Sequence, residues 1–134
     1  MSLGAPVAVA TGPVVPTDAR AALLGALQTV PGLVVSATVP ESPTEGSAWP
    51  VWIQTTFDGV LSQPGRPTYD VYVLLPAGHP VTTVETADGL LGQVCSALWD
   101  LCVITLAEPV SVRFETSTTM PGLRLRVIIR KASA

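Results

Sequence analysis

Two stretches of this chain repeat apolar residues at three- and four-residue steps, and four others alternate apolar with polar residues one by one. The first pattern is the stripe of an amphipathic helix and the second the period of a half-buried strand. A chain carrying both must pack helices on a sheet. Ala19, Ala22, Leu23, Ala26, Leu27 and Val30 form the first stripe, with Thr17 or Asp18 as N-cap and Pro31-Gly32 as the stop. Val84, Ala87, Leu91, Val94, Leu98 and Leu101 form the second, opened by Thr82 and Glu85 as a capping box. That stripe lasts under three heptads, which favours a helix packed on its own sheet over a coiled-coil seam. Gly89 and Gly92 each weaken it by about 1 kcal/mol relative to Ala, and leave room for a strand or another subunit to approach.

The strands follow from the alternation. Leu33 to Val39 is rich in β-branched residues and reads as a first strand. Ala48 to Asp58 places Trp49, Val51, Ile53 and Phe57 on one side, with Pro50 tolerable near the strand start or at a sheet edge. After a loop from Gly59 to Pro67, Thr68 to Leu75 alternates again through Tyr69, Val71 and Val73. A last hairpin pairs Val110, Val112 and Phe114 with Leu123, Leu125, Val127 and Ile129 across a turn at Ser117 to Gly122, with room for a short extra strand at Val103 to Leu106. The expected order is α-β-β-β-α-β-β, an α+β fold whose mainly antiparallel sheet carries two helices on one face. No internal repeat or dividing linker interrupts residues 17–134, which read as a single domain.

Residues 1–16 stand apart. They hold no Lys or Arg and are cut by Gly4, Pro6, Gly12, Pro13 and Pro16, so they lack the basic start and unbroken apolar centre of a secretory signal. They read as an extended arm, either a disordered tail or a segment that orders on a partner; Val7, Val9, Val14 and Val15 make it more apolar than disorder favours. No apolar run approaches the ~20 residues of a membrane-spanning helix.

Residues with catalytic or metal-binding patterns are few. The only histidine, His79, sits in a Gly-His-Pro turn, and no Gly-x-Ser-x-Gly elbow or phosphate-cradling glycine motif is present. One His and two Cys cannot furnish a zinc site of ordinary spacing. If the second helix reaches both Cys95 and Cys102, they lie about 10 Å apart, beyond disulfide reach; two reduced thiols suit an intracellular protein. Nothing in the spacing of Asp58, Asp70, Glu85, Asp88, Asp100, Glu108 and Glu115 favours an acid–base pair over solvation. The expectation is a protein with no catalytic residues, cofactor or metal.

Charge is the exception. Only 13% of residues are charged, about half the usual share, so neighbouring chains are candidates to cover part of the surface. The net charge of −3 argues against nucleic-acid or membrane-surface binding. Yet five of the seven basic residues, Arg113, Arg124, Arg126, Arg130 and Lys131, fall after Leu101. Alternation places four of these on one face. If Phe114 pairs with Leu125, Glu115 meets Arg124 and Arg113 meets Arg126, a like-charge clash that a two-residue slip would remove. A basic face on an acidic body suits head-to-tail association into a ring. Arg113, Arg124, Arg126 and Arg130, with Arg66 in the Gly59–Pro67 loop, are the candidate interface residues. Arg124 and Arg126, read as exposed, are expected to tolerate reversal to Glu without loss of the fold.

The order of elements, the Trp49-Pro50-Val51-Trp52-Ile53 entry to a hairpin, the second helix and the closing Leu123-Arg124-Leu125-Arg126-Val127 strand resemble the tail terminator (tail completion) proteins of long-tailed bacteriophages. The likeness spans about residues 17 to 131 and is one of pattern, without a diagnostic motif. A chain with no Asn and a single Lys suits a phage of a high-GC host. The resemblance implies a virion protein, assembled in the host cytoplasm, that forms a hexameric ring on the head-proximal end of the tail tube and meets the head connector. It implies no catalytic residues. Another head–tail neck component is the alternative within this class. A small oligomeric ligand-binding protein or enzyme with a site between subunits is the alternative outside it.

Overall fold

The structure, a computed structural model, describes residues 16–57, 66–75, 80–114 and 119–129. Its first helix, α1 (Pro16–Leu27), buries Ala19, Leu23 and Leu27, with Val30 just beyond its end. Gly32, at φ 86°, supplies the left-handed turn into β1 (Val34–Val35). The second helix, α2 (Pro80–Leu98), starts with proline in the first turn, where a missing N–H leaves no helix bond unmade. It buries Val94 and Leu98, with Ala87, Leu91 and Leu101 partly covered. The described residues of both stripes therefore face the core.

Four further strands complete one sheet: β2 (Ser47–Thr56), β3 (Arg66–Leu74), β4 (Cys102–Arg113) and β5 (Thr119–Ile129). Their spatial order is β1-β2-β3-β5-β4; β1 and β2 are parallel and every other pair is antiparallel. The chain is thus α+β, in the order α-β-β-β-α-β-β. Tyr69, Val71 and Val73 of β3 join Leu123, Leu125, Val127 and Ile129 of β5 under the two helices. Each fully buried aliphatic side chain there contributes roughly 1.5–3 kcal/mol. Among the described residues, no helix covers the other face of the sheet.

Several boundaries differ from expectation: α1 and α2 begin at Pro16 and Pro80, ahead of the expected caps at Thr17 or Asp18 and at Thr82, and β3 begins at Arg66 rather than Thr68. The first strand keeps only Val34 and Val35; after Ser36 donates its N–H to the Ala48 carbonyl at 2.9 Å the chain leaves the sheet, and Val39 is exposed. The short strand foreseen at Val103 to Leu106 and the later one are a single strand, β4, which runs through Pro109 because β4 is the sheet edge, where a missing N–H is tolerated. The expected turn at Ser117 to Gly122 is also shorter, since Thr119 to Gly122 already pair in β5. Most of the Gly59–Pro67 loop, residues 1–15, His79, Arg130 and Lys131 lie outside the described residues.

The register of β4 corrects the sequence reading most. Its pairing with β5 shifts between Ile104 and Leu106, the mark of one extra residue. An extra residue inverts which side chains face the core. Cys102 and Ile104, opposite Ile129 and Val127, lie on the helix side; Leu106, Glu108, Val110 and Val112, opposite Arg126, Arg124, Gly122 and Met120, lie on the open side. The alternating valines of β4 therefore face away from the helices. Of these only Val112 joins a second cluster on the open face, built on Trp49, Leu74 and Phe114 with Val51, Tyr72 and Met120.

Candidate partner-binding face

The open face is organised in cross-strand rows. One row runs Trp49, Tyr72, Arg124, Glu108, and the next Val51, Asp70, Arg126, Leu106. In the first, the Trp49 and Tyr72 rings stack with centroids 5.6 Å apart and planes 19° from parallel. In the second, Arg126 Nε donates to Asp70 Oδ1 at 2.8 Å and Arg126 Nη2 to Asp70 Oδ2 at 3.1 Å. Arg124 Nη2 donates a single hydrogen bond to Glu108 Oε2, directly across the β4–β5 ladder. Opposite charges face each other at both positions, the favourable arrangement for a cross-strand pair.

The two pairs differ in setting. Asp70 is only 3% exposed, so its carboxylate relies on Arg126 for the hydrogen bonds that water would otherwise supply. Those bonds also hold the Arg126 proton more firmly than usual, raising its pKa. Glu108 and Arg124 are both about one-third exposed at the side chain, and their attraction is correspondingly screened. The Nε–H of Arg124 is buried and has no acceptor among the described residues.

Aromatic side chains lean together over this face at one end. Trp49 on β2 and Phe114, just past β4, have ring centroids 6.0 Å apart although β3 and β5 lie between their strands. In a flat sheet, strands three steps apart are separated by about 14 Å. Gly122 lets β5 lie close to β3 at this end: a Cβ there would sit 2.9 Å from the Val73 carbonyl oxygen. The result is a groove of about 370 Å³ walled by Trp49, Tyr72, Val112 and Phe114, with Arg113 and Arg124 also lining it.

The candidate arginines are thus separated by the fold. Arg124 and Arg126 share the open face, and both are compensated within the chain. Arg113 pairs with Thr119 and falls on the other parity of β4, so the expected single face of four basics is not formed. The feared Arg113–Arg126 and Glu115–Arg124 pairings do not arise either, because Arg126 is opposite Leu106 and Arg124 opposite Glu108. Arg66 opens β3 opposite Thr56 and is exposed, and Arg130 is outside the described residues. The sequence reading missed Asp70, Glu108 and the Trp49–Tyr72–Phe114 cluster. A lone Asp between Tyr69 and Val71 in a strand was the available signal for a buried pair.

Among the described residues no three His, Cys, Asp or Glu side chains gather to hold a metal ion, and no helix is long and apolar enough to cross a membrane. Cys95 and Cys102 are free thiols, one half-buried in α2 and one buried in β4; burial raises the Cys95 pKa. On the helix side, burial raises the pKa of the Tyr69 phenol, and the positive charge of Arg20 partly offsets it.

Fold and face together define an α+β domain with one covered and one open sheet face. No protein-family model matches the chain, and no curated protein matches its sequence.

Proposed function

We propose that this chain is a structural assembly protein that works as a homo-oligomeric ring, in the manner of the tail terminator proteins it resembles in element order. In that role it sits in the virion at the head-proximal end of the tail, caps the tail tube and meets the head connector, and it catalyses nothing. The hexameric stoichiometry comes from the resemblance alone. The observation that carries the reading is the uncovered half of the sheet. One full face and the whole outer side of β4 lack a covering element among the described residues, and Val103, Leu106 and Trp99 are exposed. Apolar side chains left bare around an open sheet mark surfaces that other chains cover.

Arg113, Arg66 and Arg130 remain the candidate charged contacts. Arg124 and Arg126 act there only as members of their ion pairs. Native mass spectrometry of the purified chain over a range of concentrations tests the reading: a discrete ring-sized oligomer is expected, and a monomer that neither self-associates nor binds tail tubes would overturn it. The second reading, a small-ligand binder, is carried by the groove between Trp49, Tyr72 and Phe114, whose aromatic walls and arginines suit a flat anionic molecule.

A further inference from the structure

Among the described residues, the sheet has two open strand edges. One is the outer side of β2, where β1 pairs only with Ser47 and Ala48. Ser36 donates its N–H to the Ala48 carbonyl, and the next bond of that parallel ladder would need an N–H from Pro50, which has none. From Pro50 to Thr56 no described strand pairs with that side of β2. The other edge is β4, which has β5 on one side only. Large apolar side chains stand exposed beside both: Trp52, Ile53 and Phe57 along β2, Val103 and Leu106 along β4.

The two edges match in backbone pattern. Leu75 donates its N–H to the Pro121 carbonyl at 2.8 Å, so every second residue back from it, Val73, Val71, Tyr69 and Pro67, turns its main-chain groups toward β5. Their partners on β2, Ala48, Pro50, Trp52 and Thr55, turn theirs outward, as the Ser36 bond to Ala48 shows independently. Likewise Leu123, Leu125 and Val127 follow Pro121 in facing β3, so their partners on β4, Pro109, Ala107 and Ile104, face outward. Each edge is interrupted by one extra residue, Ile53 between Trp52 and Gln54, and Thr105 between Ile104 and Leu106. Thr105 turns its hydroxyl inward to the Arg126 carbonyl at 3.3 Å, and the Trp52 indole N–H spans the other bulge to the Thr55 hydroxyl at 3.1 Å. Both edges therefore present a proline, an amide, a bulge and a second amide: Pro50, Trp52 and Thr55 on β2, and Pro109, Ala107 and Ile104 on β4, at equal spacings read in opposite chain directions.

We infer that β2 of one copy pairs antiparallel with β4 of the next, Trp52 opposite Ala107 and Thr55 opposite Ile104, so that the sheets join head to tail. The inference rests on the ring proposed above and names its contact. β2 and β4 run in opposite directions within the sheet, so a second copy set in the same orientation brings them together antiparallel, with the helices on the same side. In that register both outward amides of each strand find a carbonyl, and the ladder ends where Pro50 meets Pro109, since neither can donate. The same register sets exposed Ile53 opposite exposed Leu106, and the large Trp52 opposite the small Ala107. One such contact closes both edges, whereas two-fold pairing of like edges would leave the other edge bare in every copy.

Native mass spectrometry of Ile53→Lys, of Leu106→Lys and of their equimolar mixture tests it. Both residues are exposed, so circular dichroism should show both variants folded. Each alone should be monomeric where the unsubstituted chain forms its oligomer. The mixture should give a heterodimer and nothing larger, because each variant keeps one intact edge. In the unsubstituted protein, the amides of Trp52, Thr55, Ile104 and Ala107 should gain at least about tenfold in exchange protection between the dilute chain and the oligomer, while Val71 and Val127 stay unchanged. A single variant that still self-associates would mean that like edges pair, and would overturn the inference, as would equal protection at those four amides. Oligomers of unchanged size in both variants would overturn this contact and leave the ring standing. A chain that is monomeric at every concentration would overturn both.

Discussion

Arg126 on β5 grips Asp70 on β3 with two hydrogen bonds, and the two are direct cross-strand partners. This pair changes what a charge reversal does. Arg126→Glu would set a second carboxylate against one that is already removed from water, whereas Arg124→Glu faces a Glu108 that water can reach. The expectation that both arginines can be reversed without cost to the fold is therefore replaced. Arg126→Glu should lower the urea midpoint several times more than Arg124→Glu, with folding followed by circular dichroism. Equal effects would mean that the Asp70 pair adds nothing to the fold.

The glycines separate into two groups. Gly122→Ala forces a Cβ to within 2.9 Å of the Val73 carbonyl oxygen, so the backbone of β3 and β5 must shift apart there, at a cost of about 1–3 kcal/mol. Gly89→Ala meets nothing within 4 Å and should stabilise the isolated chain by up to about 1 kcal/mol through helix propensity. Urea unfolding of both variants gives the two signs. A Gly89→Ala chain that is more stable but assembles poorly would mark α2 as a subunit contact.

Much of the helix half of this architecture was legible in the sequence. Leu23, Leu27, Val94 and Leu98 sit on strong stripes, and the helices bury them as the spacing requires. What hid the open face was one residue. The bulge between Ile104 and Leu106 inverts the facing of everything after it, and alternation read from Val110 onward cannot reveal an inversion upstream. The pairing of Arg124 with Glu108 was equally hidden, because it depends on the register and Glu108 lies 16 residues away in the chain.

The three tryptophans should behave differently on truncation. Trp49 is buried in the open-face cluster against Tyr72 and Phe114, and Trp49→Ala should cost about 3–5 kcal/mol. Trp99, 69% exposed after the end of α2, should change stability by less than about 0.5 kcal/mol when truncated. Trp52→Ala should fall between them, since its ring is half exposed and hydrogen-bonded to Thr55. Denaturation curves would expose a wrong ranking directly.

Stability should fall in alkaline solution for an identifiable reason. Burial raises the Tyr69 pKa above its ordinary value of 10.0, so the folded chain holds that proton to higher pH than the unfolded chain does. The contribution is fully present below the unfolded value and is lost as pH rises through the folded one. Cys95, also raised by burial from 9.0, adds a loss of the same sign that begins earlier. Tyr69→Phe keeps the ring and should flatten the decline above pH ~10, leaving the part due to Cys95. Urea midpoints across the alkaline range would show this, and an unchanged slope would remove Tyr69 as the cause.

The proposal that this chain forms a ring capping a tail tube is tested most directly by electron microscopy of the purified protein mixed with isolated phage tail tubes. Rings on one end of each tube, of the same diameter as rings formed by the protein alone at high concentration, are the predicted result. Tubes with both ends bare, beside a protein that stays monomeric at every concentration, would contradict it.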